Sequence, residues 1–186
     1  IPADHSQNLT GIWPKKVVNY KTVMSDAASG FTSVTYPFPV IRMADLYLMY
    51  AEALNEKGED YATVLPWIDM VRERSGLQGV KESWDQYVGN SKYATQTGLR
   101  QIIMQERRIE LAFEGHYFWD VRRWKTATTE LTQPLTGWKV RYGETDVDYY
   151  SENLVLVRDF TPKMYFWPID IGELRKDPNL VQNYGW

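Results

Sequence analysis

The chain of 186 residues contains no cysteine, and this absence removes several kinds of chemistry. Without thiols it forms no disulfide, has no thiolate nucleophile and builds no cysteine-based metal site. It also means that these residues hold no lipid-bearing cysteine. Histidine is scarce too, with only His5 and His116, and neither an H-x-x-x-H pair nor a glycine-rich phosphate loop is present. We therefore expect no metal ion and no cofactor.

An excess of basic charge and long apolar runs are also missing. The net charge is -3, whereas a nucleic-acid binder needs a basic surface to neutralise phosphates, so nucleic acid is not expected as a partner. No apolar run reaches the ~18 residues that a membrane-spanning helix needs. The chain shows no signal-peptide pattern, and because it opens on Ile1 we expect a processed or trimmed piece of a longer protein.

Aromatic residues, in contrast, are abundant: they make up 15% of the chain, with 8 Trp and 13 Tyr. Carbohydrate-binding sites stack flat aromatic faces on sugars and place amides and charged groups near the hydroxyls. Aromatic residues in polar loops are therefore candidate ligand contacts. These candidates form two clusters, Trp84, Tyr87 and Tyr93 in the first and Trp138, Tyr142 and Tyr149 in the second. The alternative is that these rings fold back onto the core.

Helical spacing of apolar residues predicts a mainly α fold with long loops and a few short strands. The expected helices span residues 40–57, 61–74 and 99–114, and a short fourth helix carries Tyr117 to Trp124. Gly58 is placed to cap the first helix, which is apolar nearly all round and therefore expected to be buried among other helices. The first two helices form an αα-hairpin, the unit of tetratricopeptide-type repeats. Short strands are expected at residues 17–20, 138–142 and 154–157, and a helical turn at 171–174.

Several charged residues fall inside the apolar stripes of these helices. A buried carboxylate is costly unless it is paired, and arginine pairs well because its planar fork binds both carboxylate oxygens. We therefore predict a structural salt-bridge network between the helices. Its members are Arg42, Asp45, Glu52, Arg72, Glu106, Arg107, Glu110, Asp120 and Arg123.

Catalytic readings of the same residues are weaker. Glu106 and Glu110 lie one helical turn apart, as a glycosidase pair could, but neighbouring arginines oppose the raised pKa that a general acid needs. His116 is better explained as a helix-start residue, since no G-x-S-x-G motif supports a hydrolase triad. The loop acids Asp146, Asp148 and Asp159 lack EF-hand spacing, so solvated charge is preferred over calcium binding.

Four blocks of the sequence resemble the SusD/RagB family, in the family's order. Residues 40–55 are a hydrophobic helix with the motif Tyr-Ala-Glu-Ala, and residues 71–77 read Val-Arg-Glu-Arg-Ser-Gly-Leu. Residues 105–115 and 118–124 resemble its most specific signature, and residues 167–186 its terminal motif, which ends in Asn-Tyr-Gly-Trp. Ser75, His116, Asp170 and Asp177 depart from the residues that are common there. We therefore expect residues 1–186 to be the C-terminal part of a single SusD/RagB-like domain.

This resemblance implies a function as well as a fold. It implies an outer-membrane, cell-surface lipoprotein that captures oligosaccharide for import through a SusC-like TonB-dependent transporter, without catalysis. The lipid anchor and much of the ligand platform are expected in an N-terminal part that this chain lacks. Two alternatives stay open: a helical-repeat module that binds peptide or protein, and a carboxylate glycosidase.

Overall fold

The computed structural model describes residues 10–12, 14–24, 30–139 and 144–186. Its contacts divide the chain into two compact units, Lys15–Tyr117 and a second unit of Phe118–Trp186 with Ile1–Pro14. Helices dominate, which confirms the prediction of a mainly α fold. None of the helices in the described ranges combines the length and hydrophobicity needed to cross a membrane.

The αα-hairpin forms as predicted at the start of the helical region. Helix α1 spans Met43–Lys57 and ends at Gly58, whose φ of 87° lies in the left-handed region that glycine adopts without strain. Helix α2 spans Tyr61–Arg74, and the Asp60 side chain caps it by accepting a hydrogen bond from the Ala62 amide at 2.8 Å.

Helix α4 differs from the prediction at both ends. It spans Gln96–Glu110, beginning earlier because the Thr95 hydroxyl caps it by accepting a hydrogen bond from the Gly98 amide at 3.1 Å. It stops before residue 114 because the chain then turns, with Phe113 at φ 64° and Gly115 at φ 84°. The stretch between α2 and α4, expected as a loop, holds α3 (Val80–Ser83), a π-helical turn (Trp84–Val88) and a 3-10 turn (Lys92–Ala94).

The core of the first unit lies between α1, α2 and α4. Fully buried aliphatic side chains from each helix meet there, including Leu48, Ile68 and Ile103. Helix α1 was expected to be buried all round, but only one of its faces is: Leu46, Met49 and Tyr50 are 42–48% exposed. Tyr50 instead packs edge-on against Trp67 of α2, with ring centroids 4.6 Å apart.

The second unit consists of short elements. They are α5 (His116–Arg123, whose first two residues belong to the other unit), α6 (Ala127–Glu130), β3 (Leu135–Trp138), α7 (Asp146–Tyr149), β4 (Glu152–Leu156), a 3-10 turn (Pro162–Tyr165) and α8 (Ile171–Lys176). Strands β3 and β4 pair antiparallel, with Trp138 opposite Glu152. They lie near the predicted strands, although residues 140–143 fall outside the described ranges. Val121, Ala127 and Phe160 are buried in this unit.

One predicted strand is wrong. Residues 17–20 form turns, in which the Val18 amide bonds to the Lys15 carbonyl at 3.2 Å. The strand pair of this region lies later, with β1 (Val23–Met24) antiparallel to β2 (Phe31–Thr32).

Candidate functional site

The first aromatic cluster contributes one ring to an open cleft of about 320 Å³. Trp84, at the start of the π-helical turn, is half-buried and packs against the core. Helix α4 forms another wall, because Gln101 and Gln105 are one turn apart and project from the same face. The complete lining is Trp84, Lys92, Gln101, Ile102, Gln105 and Glu106. We call it the Trp84 cleft.

The polar groups of the Trp84 cleft suit a ligand rich in hydroxyls. The two glutamines are exposed and offer amide donors and acceptors. The ammonium group of Lys92 lies 5.4 Å from the centre of the Trp84 ring, a cation–π contact. Glu106 is held by an ion pair with Arg72, which also donates to the Gln78 carbonyl at 2.8 Å. An aromatic face beside amides and paired charges is a composition that sugar binding uses.

The other two aromatics of this cluster lie elsewhere. Tyr93 is 5% exposed, packs edge-on against Tyr61 and donates its hydroxyl to Asp85 at 2.8 Å. Tyr87 is 72% exposed and does not line the cleft. Of the three aromatic residues in this cluster, Trp84 is therefore the one that is partly exposed and also lines a cavity.

The second aromatic cluster lies in the other unit. Trp138 of β3 meets Tyr150 edge-on at 5.7 Å between ring centroids, and Tyr149 meets Tyr150 at 5.1 Å. Trp138 and Tyr150 are 39% and 62% exposed. Tyr142 lies outside the described residues. The rings pack edge to face on one another and form a surface patch.

The charged residues singled out in the sequence form ion pairs between and within helices. In the first unit, Arg107 of α4 bonds Asp45 of α1 at 2.9 Å, with both side chains nearly inaccessible. Arg72 pairs with Glu106 in the same unit. In the other unit, Arg123 bonds Asp120 at 2.7 Å. The pKa of Arg100 is raised mainly by its hydrogen bond to Glu56, and burial opposes this shift. The charge of Glu56 and, with a smaller effect, the charge of Glu52 raise this pKa further.

Arg42 holds two carboxylates at the end of α4. Its Nε and one terminal nitrogen each donate to Glu114 at 2.7 Å, and its other terminal nitrogen pairs with Glu110 at 2.5 Å. Lys16 also pairs with Glu114. Glu106 and Glu110 are thus both occupied by arginines, which favours a structural role for them over a catalytic pair.

Burial alone raises the pKa of Glu114, but hydrogen bonds from Arg42 and Lys16 outweigh it and hold this pKa below its ordinary 4.5. The stabilisation from ionised Glu114 is therefore complete above the unfolded pKa and is lost as pH falls through the lower folded pKa. We expect Glu114→Gln to lower the free energy of unfolding by about 1.5–3 kcal/mol at neutral pH.

Urea unfolding of both proteins between pH 7 and pH 3 measures this difference. The gap between wild type and Glu114→Gln should stay constant down to about pH 5 and then shrink. A gap that does not change with pH would show that the charge of Glu114 does not contribute.

The family model of the SusD family matches residues 1–186, the whole chain. The chain belongs to the SusD family. The SusD-like protein P25 of Formosa agariphila is 39% identical over 144 residues, covering 77% of this chain and 23% of that protein. The SusD-like protein P38 of the same organism is 28% identical over 144 residues, covering 77% and 24%.

Solved structures agree with this SusD assignment. A SusD-like protein from Bacteroides fragilis has a TM-score of 0.66 and 30% sequence identity, covering 83% of this chain and 28% of that one. The chain thus spans about a quarter of the length of the SusD relatives it matches. SusD-family proteins are cell-surface proteins that bind nutrients.

Sequence reasoning did not find Lys92, Gln101 and Gln105 of the Trp84 cleft. The signal for the glutamines was their spacing of four on the polar face of a predicted helix. Lys92 had no such signal, because its place over Trp84 depends on how the π-helical and 3-10 turns fold. The ion-pair partners Glu114, Arg74 and Lys16 were also missed.

Proposed function

We propose that this protein captures oligosaccharide at the cell surface for import and does not cleave it. The observation that carries the proposal is the Trp84 cleft, which is lined by the half-buried Trp84 together with the exposed residues Gln101 and Gln105. A sugar ring stacks its C–H face on the indole, and the two amides exchange hydrogen bonds with its hydroxyls.

Family membership supports the rest of the proposal. A capture protein of this kind delivers its ligand to a SusC-like TonB-dependent transporter in the outer membrane. It stays at the surface through a lipid anchor on an N-terminal segment, which also supplies part of the ligand platform. In this arrangement residues 1–186 form the C-terminal part of a single SusD-like domain.

The test is calorimetric titration of the protein with a panel of neutral oligosaccharides, with chromatography of the sugars afterwards. We expect saturable binding with no shorter products. Trp84→Ala should cost about 2 kcal/mol or more, because a central aromatic anchor is removed, which is roughly a thirtyfold loss of affinity.

Two further variants make this test specific. Tyr87→Ala removes a neighbouring exposed ring outside the cleft, and its affinity should stay within about twofold of wild type. Gln101→Ala removes a surface amide without touching the core and should weaken binding by about fivefold, the value of one hydrogen bond. Equal losses for Trp84→Ala and Tyr87→Ala, or the appearance of products, would contradict the proposal.

A second candidate function, peptide or protein binding, is favoured by the exposed face of α1. Leu46, Met49 and Tyr50 are 42–48% exposed on that face. Failure of every sugar in the panel, with saturable binding of an amphipathic peptide that is lost in Met49→Asp, would establish this function instead.

A further inference from the structure

The first unit holds a second cleft, separate in its lining from the Trp84 cleft, with a volume of about 360 Å³. It forms where the ends of α2 and α4 meet the segment that precedes α1. The complete lining is Lys16, Val17, Tyr36, Phe38, Pro39, Arg42, Arg74, Ile109, Glu110 and Glu114. We call it the Arg74 cleft.

The charges of the Arg74 cleft are arranged with the anions inside and the cations outside. The side chains of Glu110 and Glu114 are 12% and 7% exposed. Those of Lys16 and Arg74 are 34% and 60% exposed. Together with Arg42, three cations face two carboxylates. The surface that meets a ligand is therefore positive, although the chain as a whole carries a net charge of -3.

Arg74 is the group best placed to bind an anion. One of its terminal nitrogens donates to both oxygens of Glu110, each at 2.9 Å. Its Nε and its other terminal nitrogen make no hydrogen bond to the described residues. These two nitrogens lie on either side of Cδ, so each can donate one hydrogen bond to an anion. The ion pair with Glu110 restricts the guanidinium before a ligand arrives, which lowers the entropic cost of binding.

Apolar surface completes the cleft. Phe38 and Ile109 are 58% and 62% exposed, and Tyr36 is 39% exposed. A small inorganic anion would make no use of these side chains. A ligand that carries a negative group on a body with C–H faces would contact both the rings and the guanidinium.

We propose that the Arg74 cleft is a subsite for a sugar residue that bears a carboxylate. The carboxylate accepts hydrogen bonds from Arg74, with Lys16 adding positive charge, and the sugar ring lies against Tyr36 and Phe38. This inference deepens the proposed function and rests on it, because it names the class of glycan that the protein prefers.

The experiment compares oligogalacturonate with its fully methyl-esterified form of equal length, in which each carboxylate is replaced by a neutral methyl ester. Calorimetric titration of the wild-type protein should show about tenfold tighter binding of the acid. Arg74→Gln should reduce this preference to about twofold or less, and Arg74→Lys, which keeps the charge but not the planar fork, should retain part of it. Arg175→Gln, which removes an exposed arginine of α8 in the other unit, should keep the full preference.

Thermal unfolding of each variant checks that it is folded. A preference for the acid that survives in Arg74→Gln, or that falls equally in Arg175→Gln, would overturn the assignment of the Arg74 cleft. So would equal affinity for acid and ester in the wild type. Equally tight, Arg74-dependent binding of oligoglutamate would assign the cleft to acidic peptides and overturn the sugar assignment.

Failure of this inference is distinguishable from failure of the proposed function. Binding of the ester that depends on Trp84 but shows no acid preference supports capture and rejects the Arg74 subsite. Acid binding that depends on Arg74 but not on Trp84 supports the subsite and rejects the Trp84 cleft as the capture site.

Discussion

Replacing Arg107 by Met is expected to lower the free energy of unfolding by about 3–5 kcal/mol, because it leaves a carboxylate buried without its partner. Arg107 and Asp45 are 2.9 Å apart, and their side chains are 3% and 11% exposed. His116 also lies near this carboxylate, with its Nδ1 4.0 Å from Asp45, but it is charged only when protonated. Urea unfolding at neutral pH measures the loss.

The same helix offers a matched control. Arg100 pairs with Glu56 at 2.5 Å, but these side chains are 38% and 44% exposed. Arg100→Met should therefore cost less than about 1 kcal/mol, since water screens the pair and solvates the carboxylate left behind. Adding Asp45→Asn to Arg107→Met should recover part of the stability. Equal losses at Arg107 and Arg100 would refute the claim that burial makes the Asp45 pair important.

Replacing Leu48 by Ala should cost about 2–5 kcal/mol, because it removes buried methyl groups and leaves a cavity. Leu48 is 0% exposed and lies in the core formed by α1, α2 and α4. All three helices contribute side chains to this buried cluster, and the loss will be larger the less they collapse into the space. Thermal or urea unfolding measures the change.

Met49, the next residue of α1, is the control for this prediction. It is 42% exposed, so Met49→Ala should change the free energy of unfolding by only about 0.5 kcal/mol. A loss at Met49 as large as that at Leu48 would mean that the outer face of α1 is covered by protein in solution.

The helices that could be predicted from the sequence are those whose boundaries have local causes. Helix α2 was predicted at both ends. The structure shows local causes for both, because Asp60 caps its start and Ser75 and Gly76 follow its end. The start of α4 was missed because the Thr95 cap lies in a stretch without apolar periodicity. The strand expected at residues 17–20 failed because two neighbouring valines favour a strand locally, whereas this segment packs in turns and Lys16 pairs with Glu114.

The candidate site was predictable only in part, for a related reason. An aromatic residue in a polar segment pointed to Trp84, but the same reasoning selected Tyr93, which the structure places in the core. The residue type indicated which side chains could bind a sugar. It did not indicate whether each ring points to solvent or to the core, because that depends on turns that have no strong sequence signal. The Arg74 cleft was not predicted as a site, although Arg42 and Glu110 of its lining were predicted to form ion pairs. Its wall joins residues 16, 36, 74 and 110, which are far apart in the chain.

The sequence predicted that the buried charged residues are paired, but it did not predict which residue pairs with which. A carboxylate on an apolar helix face requires a cation, so Asp45 and Glu106 were expected to be paired. Which arginine reaches each one depends on how α1, α2 and α4 pack. Arg107 and Asp45 are 62 positions apart in the sequence, and Arg72 and Glu106 are 34 positions apart.

The most direct test of the central claim is a crystal structure of the protein with the tightest-binding oligosaccharide of the neutral panel. Our account predicts an intact sugar with one ring stacked on Trp84 and hydroxyls within hydrogen-bond distance of Gln101 and Gln105. An intact sugar bound instead on Trp138 and Tyr150, with the Trp84 cleft empty, would contradict the site. A cleaved sugar would contradict the function.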